Sequence, residues 1–287
     1  MERQPAAKYL VYDGVLRTTE SFFLRPTNRA FRFGDGLFET IHYHKGRLLF
    51  WNDHYQRLIE GLATLGFFMG GFPSRERLEV QILDLLVKNR VFNDGRVRIT
   101  VFRRGEGLYT PDNLSASWLI ETTVLKDKGY RWPEKGLYVG LFTDFPRLLT
   151  PASPYKTLAI QSNILAGIYA REQVLDDALV VNGNARFIES VSSNLFWVKG
   201  ERLFTPVVAS GCVDGIMRRQ IIRLAKQLRI QVMENQGATA DDLLAADEIF
   251  LTNVISGIRW VVGLQQRRYF THVARELYAA LCDDVSR

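Results

Sequence analysis

The chain has 287 residues, 47% of them hydrophobic and 24% charged, which is the composition of a globular protein rather than of a disordered or fibrous one. No apolar run approaches the roughly 20 residues that a membrane-spanning helix needs, and the two cysteines exclude a disulfide framework and a cysteine-based zinc site. The net charge of +6 comes from scattered lysines and arginines, so we expect no nucleic-acid partner. The first residues lack a signal-peptide core, and we expect a cytoplasmic location.

The first half of the chain is typical of an α+β unit built from hairpins and helices. The dipeptides Asp13-Gly14 and Lys45-Gly46 predict the turns of two hairpins. Asn52 and Ser74 are expected to cap two amphipathic helices. Strands are predicted over 8–12, 15–18, 38–43, 47–50, 96–103 and 118–125.

The charged segment 126–136, which contains Pro133, predicts a domain junction. We therefore expect a small N-terminal domain over 1–126 and a larger C-terminal domain over 127–287. Thr239 and Asp242 are spaced as a capping box. Further strands are predicted over 137–142, 178–181, 186–189 and 249–252, a hairpin through Lys199-Gly200, and helices over 162–173, 216–228 and around 273–281, the last packing on the large domain.

Lys156 and Glu189 are the residues that carry the most information about chemistry. Pyridoxal phosphate needs an amine for its Schiff base, a carboxylate that keeps the pyridine nitrogen protonated, and a cradle for its phosphate. Lys156 lies beside Tyr155 and an apolar run, and Glu189 lies 33 residues later among strand residues and hydroxyls. Taken alone, Lys156 is better interpreted as an ordinary surface lysine at the start of a helix.

Two features could hold a phosphate group. The segment 210–215 leads directly into a predicted helix, whose N-terminal amides attract anions. Arg57 could add a charge-assisted hydrogen bond. The alternative interpretations are an ordinary loop-to-helix junction and a solvated surface arginine.

Several motifs then occur in a fixed order along the chain. They are Phe-Gly-Asp-Gly-Leu-Phe-Glu-Thr at 33–40, His-Tyr-Gln-Arg-Leu at 54–58, Glu-x-x-x-Ser-Asn-x-Phe at 189–196, Gly-Ile-Met-Arg at 215–218 and Asp-Glu-Ile-Phe-Leu-Thr-Asn at 247–253. The ordered set resembles the fold-type IV, or class IV, pyridoxal phosphate enzymes. These include branched-chain aminotransferases, D-amino acid aminotransferases and aminodeoxychorismate lyases.

The resemblance implies a two-domain α+β fold, with a small N-terminal α/β sandwich and a larger C-terminal pseudo-barrel domain that binds the cofactor. It also implies pyridoxal 5'-phosphate as the cofactor, no metal, a small amino acid or keto acid as substrate, and a homodimer. Lys156 would be the catalytic Schiff-base lysine and Glu189 the partner of the pyridine nitrogen. The other cofactor-binding residues implied are Arg57, Ile216, Met217 and Asn253 or Val254 at the phosphate, and Ser192, Ser193 and Asn194 at the ring edge.

The sequence departs from the family pattern at three positions. Met217 and Val254 lack the hydroxyl that the family commonly offers to the phosphate, so backbone amides would carry more of its binding. Gln161 stands where branched-chain enzymes have a tyrosine for the phenolic oxygen of the cofactor.

Substrate choice is predicted from four residues. Phe33 and Phe38 would form an apolar wall, and Arg98 aligns with an arginine that accepts the side-chain carboxylate of glutamate. Tyr109, with Pro111 close by, stands where D-amino acid aminotransferases carry residues that bind the α-carboxylate. These positions favour an L-amino acid donor of branched-chain or glutamate type.

Two alternatives stay open at this point. An aminodeoxychorismate lyase, which forms 4-aminobenzoate and pyruvate, shares all the cofactor residues, and Arg98 would suit its dianionic substrate equally well. A cofactor-free binding protein would require the Lys156 and Glu189 match to be accidental.

Overall fold

The computed structural model describes residues 7–126 and 129–286. Contacts group these residues into two compact units. The first contains the residues up to Gly129 together with Tyr155–Ala159, and the second contains Tyr130–Pro154 and the chain from Ile160 onward. The predicted limits of the domains, 1–126 and 127–287, stay a prediction.

The first unit contains an antiparallel sheet of six strands in the order β2-β1-β6-β5-β3-β4. These strands are β1 (Tyr9–Tyr12), β2 (Val15–Thr18), β3 (Gly36–His44), β4 (Arg47–Leu48), β5 (Asp94–Arg103) and β6 (Ala116–Val124). Both predicted hairpin turns are confirmed: φ is positive at Asp13, Gly14, Lys45 and Gly46, as in the turns that match the right-handed twist of paired strands.

Three helices belong to this unit, α1 (Arg29–Phe33), α2 (Trp51–Thr64) and α3 (Arg75–Lys88). The apolar stripes of α2 and α3 pack on the sheet; the central members of this core are Leu58, Leu62, Ile82, Leu85, Ile41 and Ile99, each at most 1% exposed. The sheet and its two long helices therefore bury one apolar layer.

The predicted cap of α3 is confirmed and that of α2 is wrong. Ser74 accepts a hydrogen bond from the Arg77 amide at 3.3 Å. At α2 the N-cap residue is Phe50, with a left-handed φ of 56° and no side-chain cap among the described residues. Because β4 ends at Leu48, the chain must reverse within two residues, and Asn52 instead accepts a hydrogen bond from Arg75.

The second unit is organised around a closed ring of strands. Strand β10 pairs with β13 on one side and with β9 on the other, so β10-β13-β14-β7-β8-β9 returns to its start. The strands of this unit are β7 (Leu137–Arg147), β8 (Asp177–Asn182), β9 (Phe187–Ser190), β10 (Asn194–Lys199), β11 (Arg202–Pro206), β12 (Gln231–Asn235), β13 (Glu248–Asn253), β14 (Gly257–Leu264) and β15 (Arg267–Arg268). This closure confirms the predicted barrel.

The helices of the second unit are α4 (Gln161–Glu172), α5 (Ile216–Gln227), α6 (Ala240–Leu244) and α7 (His272–Ser286). The capping box of Thr239 and Asp242 is confirmed. Helix α7 buries Leu277 and Leu281 completely and packs against α5, β13 and β14. No helix within the described ranges has both the length and the apolar character to cross a membrane.

Candidate active site

The segment Tyr155–Ala159 binds the beginning of strand β3 in the first unit. The Phe38 amide donates to the Lys156 carbonyl at 2.8 Å, and the Leu158 amide donates to the Gly36 carbonyl at 3.0 Å. Strand β4 pairs only with the far end of β3, so this end of the strand has room for the segment. The backbone of Lys156 is therefore held by hydrogen bonds to the first residues of β3.

Tyr155 fixes the same segment against helix α2. A Cβ atom added at Gly61 would lie 3.0 Å from Cγ of Tyr155, so the ring packs directly on the backbone of α2. Thr64 Oγ1 also donates to the Tyr155 hydroxyl at 3.3 Å. The residue before the candidate lysine is thus held by packing and by a hydrogen bond.

Two cationic side chains approach the ring of Phe38. Lys156 Nζ lies 4.9 Å from the ring centroid, and Arg98 Cζ lies 3.9 Å from it, both within cation–π range. Arg98 is partly buried, and this burial lowers its pKa. The structure therefore brings together three of the predicted residues, an amine, a guanidinium and an aromatic wall.

Phe33 and Tyr109 form a second group in the first unit. Their ring centroids are 5.8 Å apart, and Tyr109 is 89% exposed. Arg29 supports them, because its guanidinium lies 5.0 Å from the Phe33 ring and donates to the Leu108 carbonyl at 2.6 Å. The loop that carries Tyr109 is thereby tied to α1.

Arg57 belongs to a buried charge cluster. Its Nε and Nη2 atoms donate to the two carboxylate oxygens of Glu39 at 2.8 and 2.7 Å. His54 Nδ1 lies 2.7 Å from Oε2 of the same carboxylate. Burial alone would raise the pKa of Glu39, but Arg57 and His54 hold it at about 2. A phosphate would have to bind Arg57 through N–H groups other than these two.

Glu189 is the centre of a polar cluster in the second unit. It lies on β9, is 3% exposed, and its Oε1 accepts hydrogen bonds from Arg147 and, at 3.2 Å, from Asn163. Its Oε2 accepts from the Val213 amide at 3.0 Å. These donors fix the orientation of a carboxylate that burial would otherwise penalise.

The first turn of α5 has the features of an anion site. Gly215 is its N-cap residue, and no side chain from the described residues caps the helix. Asn194 fills the space beside it, since a Cβ added at Gly215 would lie 1.8 Å from Asn194 Oδ1. The side chains of Ile216 and Met217 are buried, so only their amides could contact an anion.

The remaining predicted residues lie near the ends of β10 and β13. Asn253 donates to the Ser193 hydroxyl at 2.9 Å and accepts from two following amides. The Val254 carbonyl accepts from the Tyr130 hydroxyl at 2.8 Å. Ser192 is exposed. Asn253 is thus a structural brace of this loop as well as a candidate ligand.

The sequence matches a known family along most of its length. The sequence model of amino-transferase class IV matches residues 36–264. The chain belongs to the class IV aminotransferase family. Among its class IV relatives is the aminodeoxychorismate lyase of Vibrio harveyi, which is 27% identical over 246 residues, 83% of this chain and 86% of the relative.

A second class IV relative is a transaminase. The branched-chain-amino-acid aminotransferase of Escherichia coli (strain K12) is 27% identical over 281 residues, 90% of this chain and 86% of the relative. The fold is also that of the branched-chain amino acid aminotransferase from Thermobaculum terrenum in its PLP-bound holo form. That structure has a TM-score of 0.85 at 20% identity, and the match covers 98% of this chain and 95% of the other.

The class IV motifs did not reveal every residue of the Glu189 cluster. Arg147 and Asn163 lie outside the five motifs, 42 and 26 residues from Glu189 in sequence. The pairing of β7 with β8 and of β8 with β9 brings Arg147 near the carboxylate, and Asn163 contacts it from helix α4. The Val213 amide could have been suspected, because it lies in the segment that was predicted to bind phosphate.

Proposed function

We propose that this protein is a pyridoxal phosphate-dependent aminotransferase. It moves an amino group between an L-amino acid of branched-chain or glutamate type and a 2-keto acid. The observation that carries the proposal is the position of the Lys156 amine and the Arg98 guanidinium at the Phe38 ring, 4.9 and 3.9 Å from its centroid. An amine that can react and a cation that can bind a carboxylate are what an amino acid substrate requires.

The residues present fit pyridoxal phosphate. The chain offers a half-buried lysine, a buried and oriented carboxylate, and a 12-residue helix whose first turn has no side-chain cap among the described residues. When bound, pyridoxal phosphate draws negative charge from the substrate Cα into its ring and so makes the Cα proton acidic. Homology to a structure in PLP form agrees with this choice of cofactor.

Lys156 has two roles in the proposed reaction. Its Nζ would hold the cofactor, because a primary amine is the group that can bind pyridoxal phosphate covalently. Once the amine of the substrate has replaced it, Nζ would accept the proton from the substrate Cα and deliver it to the cofactor, which would keep the amino group while water releases the keto acid. The backbone hydrogen bonds of Tyr155–Ala159 to β3 hold this amine in place between the two steps.

Glu189 would hold a proton on the ring nitrogen of the cofactor. Its carboxylate accepts hydrogen bonds from Arg147, Asn163 and the Val213 amide, so it cannot rotate away from its partner. Orientation by supporting donors is how buried carboxylates keep one geometry.

The phosphate group would be bound by the amides of Ile216 and Met217 and by Arg57. Helix α5 supplies positive partial charge at its N-terminus. Arg57 brings a full charge, and the fork that it forms with Glu39 fixes its orientation. Asn253 or Val254 would complete the phosphate contacts, with Ser192, Ser193 and Asn194 at the ring edge.

A lyase reaction is the second candidate. The relative from Vibrio harveyi is an aminodeoxychorismate lyase and is as similar, at 27% identity, as the transaminase from Escherichia coli. The same Lys156 proton transfer would then lead to loss of pyruvate and to 4-aminobenzoate. Arg98 would bind a carboxylate of that substrate.

The two reactions are separated by a visible absorbance titration of the pyridoxal phosphate-loaded protein with L-glutamate, without a keto acid. A transaminase converts the bound cofactor to pyridoxamine phosphate. A cofactor spectrum that L-glutamate and branched-chain L-amino acids leave unchanged contradicts the transaminase proposal. Release of fluorescent 4-aminobenzoate from aminodeoxychorismate would then identify the lyase.

We expect Lys156→Ala to abolish turnover while the fold is kept. Lys88→Ala is a matched control, because Lys88 is an exposed residue at the end of α3. Circular dichroism should be the same for both variants. Near-normal turnover of Lys156→Ala would contradict the mechanism.

The homodimer and the cytoplasmic location stay predictions. Sedimentation velocity of the loaded protein would test the homodimer. One chain has a mass of 32.9 kDa, and we expect a single species of twice that mass.

A further inference from the structure

Two histidines on β3 lie outside the proposed cofactor site. His42 and His44 are two residues apart on one strand, so their side chains point to the same face of the sheet. Asp94, the first residue of β5, is the register partner of His44. All three side chains are buried, with exposures of 1% for His42, 8% for His44 and 3% for Asp94.

The ligand atoms of these residues converge on one point. His42 Nε2 lies 3.1 Å and His44 Nδ1 lies 2.7 Å from the same oxygen, Asp94 Oδ1. The three atoms all lie within 4.8 Å of one another. The Gly129 amide donates to this oxygen at 2.8 Å. The cluster is therefore built from three strand or loop elements of one unit.

We propose that His42, His44 and Asp94 bind a divalent transition metal ion of the zinc class. Two imidazole nitrogens and one carboxylate oxygen are a donor set that zinc takes in proteins. Tetrahedral bonds of about 2.0 Å separate neighbouring ligand atoms by about 3.3 Å. The separations of His42 Nε2 and His44 Nδ1 from Asp94 Oδ1, 3.1 and 2.7 Å, would need to open by about 0.2 and 0.6 Å. A fourth position is left for water.

The charge of the cluster suits a cation. Asp94 Oδ1 accepts a hydrogen bond from the Gly129 amide and lies within hydrogen-bond distance of both imidazoles, so a carboxylate oxygen lies at the centre of the cluster. Each imidazole would bind the metal through the nitrogen that faces Asp94, and the N–H of the neutral ring would then be on its other nitrogen. Because the metal competes with protons for these nitrogens, its binding is weaker at low pH.

The competing interpretation is a purely structural hydrogen-bond cluster. His42→Gln and His44→Asn separate the two interpretations, because each amide can keep an N–H directed at Asp94 but is a much weaker metal ligand. His272→Gln is the matched control. It removes an exposed imidazole at the start of α7, and the chain has four histidines in all.

The experiment is a zinc titration of the chelator-treated, pyridoxal phosphate-loaded protein in competition with a chromophoric chelator. We expect one Zn²⁺ per chain in the native protein and in His272→Gln. In His42→Gln and His44→Asn the affinity should be at least about 100-fold lower, since even residues that only support ligands change affinity by 10–100-fold.

Thermal unfolding gives a second readout that does not depend on enzyme activity. Zn²⁺ should raise Tm of the native protein and of His272→Gln, because it binds the folded state, and should leave Tm of His44→Asn unchanged. Absence of saturable zinc binding, or equal affinity in native protein and His44→Asn, would overturn the proposal.

Discussion

Glu39 shows at the residue scale how a buried charge is stabilised by its partners. Its carboxylate receives two bonds from Arg57 and one from His54, and the cluster lies under the sheet of the first unit. Removal of one partner from a buried ion pair commonly costs about 3–5 kcal/mol, more than the pair itself contributes. Arg57 is thus held in place by an interaction that the fold cannot easily lose.

The stability of the protein should fall in two stages as pH is lowered. Burial lowers the pKa of His54 below 6.5. The stability that the folded state gains from the neutral imidazole is therefore fully present above pH 6.5 and is lost as the pH falls below that value. The pKa of Glu39 is lowered from 4.5 to about 2; its contribution, about 3 kcal/mol, is present above 4.5 and is lost toward pH 2.

Urea midpoints at pH 7.5 and 5.5 measure the first stage. His54→Asn, which can keep a donor toward Glu39, should reduce the difference between the two midpoints. His272→Asn is the control and should keep the native difference. Equal pH dependence in native protein and His54→Asn would contradict a buried neutral imidazole.

Glu189→Gln tests the carboxylate of the second unit. Glutamine cannot supply the negative charge that holds a proton on the cofactor ring, so we expect kcat to fall by about 100-fold or more. Glu189→Asp keeps the charge and should lose less. The exposed Glu172 provides a control, since Glu172→Gln should leave kcat unchanged. Equal rates for Glu189→Gln and native protein would remove the assigned role.

Lys156 and Glu189 could be proposed from the sequence because few positions combine their chemistry with the right neighbours. Arg147 and Asn163 could not, because an arginine at the end of a strand and an asparagine in a helix are common. Their importance comes from the buried carboxylate that they contact, and this contact depends on the tertiary structure.

Helix α5 is the element on which the phosphate proposal depends. Gly215 cannot carry a Cβ without meeting Asn194 at 1.8 Å, so Gly215→Ala should displace Asn194 or the first turn of the helix. Overpacking of this kind typically costs about 1–3 kcal/mol. We expect a lower Tm and weaker binding of pyridoxal phosphate, measured by absorbance titration.

Gly183→Ala is the matched control for this experiment. A Cβ at Gly183 meets no heavy atom of the described residues within 4 Å. Its Tm and cofactor affinity should therefore stay close to native values. Unchanged cofactor binding in Gly215→Ala would argue against the α5 amides as the phosphate site.

Element boundaries were predicted well where a polar cap or a turn dipeptide marks them. Ser74, Thr239 and Asp13-Gly14 act as their residue types indicate. Helix α2 differs, because it begins at an apolar residue with a left-handed backbone, Phe50. No propensity predicts such a residue there. The left-handed backbone of Phe50 results from the tight connection between β4, which ends at Leu48, and α2, which begins at Trp51.

At the scale of the whole molecule, the closed ring of strands in the second unit depends on pairing between segments that are far apart in the sequence. Its strands were mostly predicted one by one, and the pairing of β10 with β11 was predicted from the hairpin through Lys199-Gly200, but the pairings between distant strands were not. The ring closes through the parallel pair of β14 with β7 and through the single residue pair Asn194 and Glu189 between β10 and β9. Pairings between distant segments have no local signal, and the class IV resemblance was needed to expect a barrel.

The segment Tyr155–Ala159 makes the first unit discontinuous in sequence. The chain enters that unit a second time for five residues and supplies the backbone partners of Phe38 and Gly36. A fragment that ends at Gly129 should therefore be less stable than the unit is in the whole chain. A synthetic peptide spanning 153–161 should bind to that fragment and restore part of its stability, as in fragment complementation. Gene fusions and circular permutants would have to leave intact the chain on both sides of this segment, before Tyr155 and after Ala159.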